Sequence, residues 1–281
     1  MSNLVEIDNL RISFRQDDGS YNIAVRGMSL TLGREKLGIV GESGSGKSLT
    51  GRALLGVLPP YAKMSVDRME FDGIDLTKAS GKLRRSLRGG RMGMILQDPK
   101  FSLNPVMTVG RQIVEAIRIG DRRLGGAAAR QRALMTLEQV HIRDPERVFG
   151  LYPHELSGGM GQRVMIAMMV VREPDLLVAD EPTSALDVSV RTQVLSILDE
   201  LVTRRGMGLI LISHDLNLVS RFCDRVLVMY AGHVVETLAA SKLHEAQHPY
   251  TRGLLSCLPT IDGPLDPLPT LTRDASWAGV A

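Results

Sequence analysis

The chain contains few cysteines and few aromatic residues. Its 281 residues include only two cysteines, Cys223 and Cys257, too few and too far apart for a disulfide framework or a structural zinc site. This cysteine usage indicates a reducing compartment. Aromatic residues make up 4% of the chain, so Phe14 and Tyr21 stand out as groups on which a planar ligand could stack; a place in the core is the alternative for either.

Long apolar runs and a large net charge are also missing. The longest strongly apolar run, residues 164–171, is far shorter than the roughly 20 residues of a membrane-spanning helix. Residues 1–6 have neither the basic start nor the apolar stretch of a secretory signal. We therefore expect that any membrane role depends on a partner. The net charge of +3 argues against nucleic acid as an obligatory partner, and the basic cluster at residues 82–88 is typical of a solvated helix face.

The stretch Gly41 to Ser48 matches the phosphate-loop pattern G-x-x-x-x-G-K-[ST] at every specified position. Residues 37–40 indicate a buried strand before it, and residues 49–58 indicate a helix after it that ends at two prolines. Between a strand and a helix, backbone N–H groups and the helix dipole can bind a phosphate chain. The pattern predicts that Lys47 contacts the β- and γ-phosphates and that the Ser48 hydroxyl ligates Mg²⁺, as in any kinase or GTPase of this type.

A further buried strand, the apolar run at residues 176–179, delivers two carboxylates at its C-terminal end. Asp180 can hold Mg²⁺, and Glu181 can act on an attacking water molecule. Because successive strand residues point to opposite faces, we expect a turn to begin here. The alternative, an exposed acidic turn without a role, is disfavoured by the phosphate loop upstream.

Three further stretches place polar groups where a phosphate ligand could meet them. Gln97 follows a predicted strand at residues 92–96, and His214 follows another at residues 208–213. Ser157 and the two glycines after it precede a predicted helix at residues 162–171, whose N-terminus favours an anion. Each feature alone is also typical of an ordinary loop.

The remaining patterns outline the other elements. Residues 106–148 are amphipathic with a glycine-broken middle, which predicts a block of helices. Alternating apolar residues predict antiparallel strands and hairpins at residues 4–7, 10–14, 21–32, 69–76, 225–230 and 233–238.

Taken together and in this order, the motifs resemble those of an ATP-binding cassette (ABC) ATPase. The resemblance covers about residues 4–255 and rests on Gly41–Ser48, Gln97, the signature Leu156–Met160, Leu176–Asp180 with Glu181, Ser184–Asp187 and His214. Other stretches resemble one branch more closely, the nucleotide-binding subunits of bacterial dipeptide, oligopeptide and nickel importers. These stretches are residues 40–48, 97–99 with 102–105, 152–155 and, most tellingly, 248–255.

The resemblance implies an α/β fold: a P-loop NTPase (RecA-like) core with an antiparallel β-subdomain and an inserted α-helical subdomain. It implies an ATP-binding domain at residues 1–255, with the helical subdomain at about residues 100–165, followed by a proline-rich tail at 256–281. We expect this tail, with Pro264, Pro267 and Pro269, to be irregular. Gly161 departs from the family, which more often has a larger polar or basic residue there. Some peptide-importer members carry a C-terminal cysteine cluster for iron–sulfur binding, which Cys257 alone does not support.

The resemblance also implies roles for individual residues. The catalytic residues would be Lys47, Gln97, Glu181 and His214, and Mg²⁺ would be held by Ser48, Gln97 and Asp180. The remaining ATP contacts would come from Phe14, Gly41, Glu42, Ser43, Gly44, Ser45, Gly46, Lys47, Ser48, Leu49, Ser157, Gly158, Gly159 and Asp187. Phe14 fits the adenine-stacking position better than Tyr21 because it ends the early strand.

The implied assembly contains several chains. Two cassettes meet head to tail, so that each ATP lies between the phosphate loop of one and the signature of the other. The expected partners are a second, different cassette, two transmembrane permease subunits and a periplasmic or extracellular solute-binding protein, at the cytoplasmic face of a bacterial membrane. A soluble ABC ATPase acting on nucleic acid or ribosomes is the alternative, but it would be expected to have coiled-coil insertions, zinc cysteines or tandem cassettes. Whether the solute is a peptide or nickel stays open.

Overall fold

The computed structural model describes residues 3–99, 102–184, 186–257 and 277, and it divides into two units. The first unit combines residues 1–79 with residues 210–281, and the second consists of residues 80–209. Ala185 and the three prolines expected in an irregular tail lie outside the described residues.

An antiparallel sheet occupies the N-terminal part of the first unit. Its strands are β1 (Val5–Arg15), β2 (Tyr21–Leu32), β4 (Ala62–Ser65), β5 (Arg68–Phe71) and β6 (Ile74–Asp75). The order is β2-β1-β5-β6, and β4 also pairs with β1. The two strands predicted between residues 4 and 14 form the single strand β1, because Asn9 takes a left-handed φ of 51° and the chain continues through an irregularity instead of a turn. The hairpin predicted at residues 69–76 is confirmed, with Asp72 and Gly73 both at positive φ.

A second sheet in the first unit carries the phosphate loop. It contains β3 (Lys36–Val40), β9 (Gly208–Ser213), β10 (Arg225–Tyr230) and β11 (His233–Ala239), in the order β11-β10-β3-β9. Strand β10 runs parallel to β3, and β11 pairs with β10 in the antiparallel sense, as the hairpin prediction requires. Strand β9 begins in the second unit, where the Gly208 N–H donates to the Asp175 carbonyl at 2.8 Å.

The helices of the first unit are α1 (Lys47–Leu55), α8 (Leu216–Phe222) and α9 (Pro249–Ser256), with a 3₁₀ stretch at Ala240–Glu245. The prediction that α1 continues to residue 58 is wrong. Gly56 takes a left-handed φ of 65° and its N–H bonds to the Ala53 carbonyl, which closes the helix before the prolines.

The second unit contains two parallel strands and most of the helices. Its elements are α2 (Gly81–Leu87), β7 (Met92–Ile95), α3 (Val109–Gly120), α4 (Gly126–Gln139), α5 (Pro145–Gly150), α6 (Gly158–Val170), β8 (Leu176–Asp180) and α7 (Val188–Arg205). Strand β7 pairs with β8 in parallel, and β8 is buried throughout. Helix α6 begins at Gly158, ahead of the predicted residue 162, because the Ser157 Oγ accepts the Met160 N–H at 3.3 Å and caps the helix there. Among the described helices, none is both long and apolar enough to cross a membrane.

Candidate functional site

The loop between β3 and α1 has a backbone that glycine alone permits at two positions. Gly41 and Gly46 have φ values of 149° and 98°. A Cβ atom on Gly41 would lie 2.1 Å from the Met229 carbonyl oxygen, and one on Gly46 would lie 2.8 Å from the Ala24 carbonyl oxygen. These glycines therefore let the loop pack closely against β10 of its own sheet and against β2 of the antiparallel sheet, at the start of α1.

Two polar side chains of the loop are buried. The Lys47 Nζ donates to the carbonyl oxygens of Gly41 at 2.8 Å and Glu42 at 2.7 Å, so its charge lies inside the curve of the loop. The Ser45 side chain is only 3% exposed, and its Oγ has no hydrogen-bond partner among the described residues. A buried hydroxyl of this kind fits a site completed by a polar ligand.

A cavity of about 240 Å³ opens over this loop and is lined by Glu42, Ser43, Gly44, Ser45, Tyr230 and Ala231. None of the described side chains caps the N-terminus of α1, where Gly46 occupies the capping position. The first N–H groups of a helix lack partners within the helix, and its dipole favours an anion. The loop, the buried lysine and the N-terminus of α1 therefore fit a phosphate chain.

The two predicted carboxylates stand where β8 ends. Asp180 is buried at 6% exposure as the last residue of the strand. Glu181 follows with a φ of 48°, and its carbonyl accepts the Ser184 N–H at 3.3 Å. The predicted turn therefore begins at Glu181, and the two successive side chains are not held to the alternation of a strand.

Another cavity in the second unit, also of about 240 Å³, brings Gln97 together with the signature. Gln97 lies beyond the end of β7, and Ser157 and Gly158 lie at the start of α6; all three line this cavity. Gln162 lines it too, and the Nε2 atom of this buried residue donates to the Pro182 carbonyl at 2.6 Å. The signature helix is thereby tied to the turn that follows Glu181.

The other predicted residues have local surroundings of their own. Asp187 caps α7, and hydrogen bonds from the Val190 N–H and the Ser189 hydroxyl lower the pKa of its carboxyl group. His214 is exposed directly after β9. The Phe14 ring lies near the end of β1 with its centroid 5.8 Å from that of Tyr61, a residue that is 72% exposed.

The predicted residues are divided between the two units. Phe14, Gly41–Leu49 and His214 belong to the first, whereas Gln97, Ser157–Gly159, Asp180, Glu181 and Asp187 belong to the second. Within the second unit, the structure brings Gln97 and the signature to one cavity. That both groups act on one ATP stays a prediction.

Sequence reasoning missed residues that support the loops. Gln112 is buried on α3, where it accepts the Asn104 N–H and donates to the carbonyls of Asn104 and Met107. Gln162 and Tyr250, which contact the carboxylate turn and the phosphate loop, were missed as well. Gln162 and Tyr250 bond to backbone groups 20 and 208 residues away, which no local pattern predicts. The partners of Gln112 are only five and eight residues away, but they lie in an irregular loop that has no sequence pattern of its own.

A sequence profile described as "ABC transporter" matches residues 25–184. This chain belongs to the ABC transporter family. The predicted family and the predicted ATPase class are thereby confirmed, and the likeness to solved ABC cassettes confirms the predicted fold class.

Relatives and solved structures agree with this membership. The chain is 46% identical to the dipeptide transport ATP-binding protein DppD of Escherichia coli (strain K12) over 259 residues, 91% of this chain and 78% of DppD. It is 43% identical to the oligopeptide transport ATP-binding protein OppD of Bacillus subtilis (strain 168) over 265 residues, 93% of this chain and 74% of OppD. The dimeric structure of MJ0796, a bacterial ABC transporter cassette, aligns with a TM-score of 0.75 at 26% identity and covers 84% of this chain and 98% of MJ0796. A dimeric post-hydrolysis MJ0796 structure bound to ADP and Pi aligns equally well, at 25% identity.

Proposed function

We propose that this chain is the ATP-hydrolysing subunit of a bacterial peptide importer. The observation that carries the proposal is the phosphate loop of Gly41 to Ser48, with its buried lysine and uncapped helix, in a chain of the ABC transporter family. The relatives DppD and OppD are named for dipeptide and oligopeptide transport, which favours a peptide over nickel as the transported solute.

ATP binding is assigned to the loop and to two neighbouring groups. Residues 41–49 and the Lys47 ammonium hold the phosphates, because the segment combines a helix N-terminus with a fixed positive charge. Phe14 stacks on the adenine. Ser157, Gly158 and Gly159 of a second cassette complete the site with the N-terminus of another helix, and Asp187 lies at the same junction.

Hydrolysis is assigned to residues at three strand ends. Glu181 is the general base that accepts a proton from the attacking water, and His214 hydrogen-bonds the γ-phosphate. Ser48, Gln97 and Asp180 are the residues that would hold Mg²⁺, which supplies neutralisation of phosphate charge. The described residues contain no group of three or more His, Cys, Asp or Glu side chains that could hold a metal ion. Such a group is not required, since Mg²⁺ sites commonly use one or two carboxylates together with substrate phosphates.

We further propose that the chain works at the cytoplasmic face of the membrane with a second, different cassette, two permease subunits and a solute-binding protein. The second unit offers a surface for the permease. We name it the methionine groove: a cavity of about 380 Å³ whose lining includes Met107, Met168, Met169, Ile119, Arg88 and Arg172. Flexible, polarisable methionine side chains adapt to an apolar partner surface, and the two arginines can hold an acidic or carbonyl-rich end of it.

The proposal is tested in the assembled transporter, in membrane vesicles supplied with the solute-binding protein and a labelled dipeptide. Glu181→Gln should retain ATP binding but reduce both hydrolysis and ATP-dependent uptake by about a hundredfold or more, because the amide cannot accept the proton of water. Glu173→Gln, which alters an exposed carboxylate elsewhere in the second unit, is the matched control and should keep wild-type rates.

Two outcomes would count against the proposal. Hydrolysis by the Glu181→Gln variant at the wild-type rate would remove the assigned base. Wild-type ATP hydrolysis without uptake of any dipeptide or oligopeptide supplied would leave the ATPase in place and overturn peptide as the solute.

A further inference from the structure

One residue of the phosphate loop is held through both of its backbone polar groups. The Glu42 N–H donates to the Tyr250 hydroxyl oxygen at 3.0 Å. The Glu42 carbonyl accepts from the Lys47 Nζ at 2.7 Å. A tyrosine of the C-terminal helix α9 therefore contacts the same loop residue as the lysine assigned to the phosphates, although the two positions are 208 residues apart.

Several contacts within the first unit fix the position of Tyr250. Its side chain is completely buried, and its ring centroid lies 4.4 Å from that of Tyr230, which lines the cavity over the loop. The ring centroid of Trp277 lies 6.1 Å from that of Tyr250. A buried ring with aromatic neighbours has few alternative rotamers, so its hydroxyl is presented at one place.

The segment that leads into α9 is anchored as well. The N–H groups of Gln247 and His248 donate to the two carboxylate oxygens of Glu236 at 2.7 and 3.3 Å, and the His248 Nδ1 accepts the Tyr250 N–H at 3.2 Å. Pro249 occupies the first helical position, where its fixed φ suits the start of a helix. Tyr250 is thus held by its own helix start and by β11, independently of the loop that it contacts.

We propose that Tyr250 is a positioning residue for the phosphate loop. Its hydroxyl fixes the peptide before Glu42, so that the Glu42 carbonyl meets Lys47 and the loop keeps its curve before any ligand arrives. Pre-organisation of this kind strengthens binding because the loop does not have to be ordered by the nucleotide. The inference rests on the proposed function only to the extent that the ligand of the loop is a nucleotide polyphosphate.

The test measures nucleotide affinity on the full chain without its partners. Tyr250→Phe removes the hydroxyl and keeps the ring, which leaves the Glu42 N–H without this acceptor. Calorimetric titration should show binding of ATP weakened about fivefold to tenfold, and binding of inorganic tripolyphosphate weakened by the same factor, because the defect lies at the phosphates.

Thr251→Val is the matched control on the same helix. Thr251 is completely buried, and its Oγ1 has no hydrogen-bond partner among the described residues, so the variant changes α9 without touching the loop. Its affinity for ATP should stay within about twofold of the wild-type value, a difference well below the cost of a lost hydrogen bond. A merely structural role of Tyr250 would lower the melting temperature and the binding-competent fraction but leave the dissociation constant of that fraction unchanged.

Three results would overturn the inference. These are a Tyr250→Phe affinity within about twofold of wild type, an equal weakening by Thr251→Val, or an ATP-specific loss that spares tripolyphosphate. Should Tyr250→Phe fail to fold, amide hydrogen exchange of the wild type decides: Glu42 should be protected and Ser43 should not, and equally fast exchange refutes the contact. A wild-type chain that does not bind ATP would instead refute the proposed function, so the two failures are distinguishable.

Discussion

At the scale of single residues, the turn after β8 carries backbone strain next to the assigned general base. Glu181 has a φ of 48°, in the left-handed region that a residue with a Cβ rarely adopts. Such a conformation costs on the order of 1–3 kcal/mol and persists only where the surroundings enforce it. Here the Ser184 N–H and hydroxyl both donate to the Glu181 carbonyl, and Pro182 and Thr183 are buried. The turn at Glu181 therefore takes the side chain of the assigned base out of the alternation of strand β8.

Gln162 provides a testable support for this turn. Its buried side chain donates to the Pro182 carbonyl at 2.6 Å. In Gln162→Met the side chain keeps about the same size but the carbonyl loses this donor, so the position of Glu181 is less well defined. We expect kcat for ATP to fall about tenfold while KM changes less than twofold, since positioning of a catalytic group affects the chemical step. Steady-state ATPase assays on the assembled transporter provide both constants.

The matched control for this prediction is Gln193→Met, a change to an exposed glutamine on α7. It should leave both constants unchanged. A Gln162→Met enzyme with wild-type kcat would show that the turn holds Glu181 without help from α6. A rise in KM with unchanged kcat would place the effect in nucleotide binding instead.

At the scale of elements, the sequence predicted the strands well and the helix ends less well. The strands that carry the functional residues, β3, β8 and β9, lie close to their predicted ranges, because each is a short apolar run bounded by glycine or charge. Helix α6 begins earlier than predicted, since the glycines that suggest a loop are tolerated behind a serine cap. Helix α9 was not predicted as an element, and the hydroxyl of its Tyr250 reaches a loop that no local pattern connects to it.

Gly161 lies inside helix α6, where alanine should stabilise the helix. The residue departs from the family, and a Cβ atom there would lie 3.5 Å from the Pro99 Cγ, which is ordinary van der Waals contact. Alanine is favoured over glycine inside a helix by about 0.5–1 kcal/mol, because a chain with alanine at this position loses less conformational entropy on folding. Gly161→Ala should therefore raise the free energy of unfolding by about that amount in urea titration.

Gly159 on the same helix is the counterpart in which the same change should be harmful. A Cβ atom there would lie 2.6 Å from the Val190 Cγ1, closer than side chains tolerate. Gly159→Ala should lower the free energy of unfolding by about 1 kcal/mol or more, since the two side chains must move apart. Equal shifts of both variants in the same direction would refute the packing that separates them.

At the scale of the whole molecule, the sequence identified the family more surely than it located the supporting contacts. The motifs that make the resemblance are short and local, whereas the residues that hold them act over long separations, such as Gln162 on the turn after Glu181. The predicted ATP residues also divide between the two units, so their assembly on one nucleotide depends on interactions beyond any single motif. A sequence motif predicts chemistry from its residue types, but it does not show which distant backbone group a buried side chain will hydrogen-bond.

The methionine groove leads to a prediction about assembly. Ile119 is 68% exposed at the end of α3 and lines the groove, so a charge placed there costs the isolated chain little stability. Ile119→Glu would introduce a charge into the proposed contact with the permease, and its burial would be unfavourable. We expect the amount of permease that co-purifies to fall at least about tenfold, while ATP binding by the isolated chain stays at the wild-type level.

Met135→Glu separates loss of the groove from loss of surface hydrophobicity. Met135 is 49% exposed on α4 and does not line the groove, so this variant adds the same charge to the same unit without meeting the proposed partner. Normal co-purification by Met135→Glu together with failure of Ile119→Glu locates the permease at the groove. Normal co-purification by both variants would exclude this surface, because a carboxylate at position 119 would have to lose its water in a tight contact, which lowers the affinity.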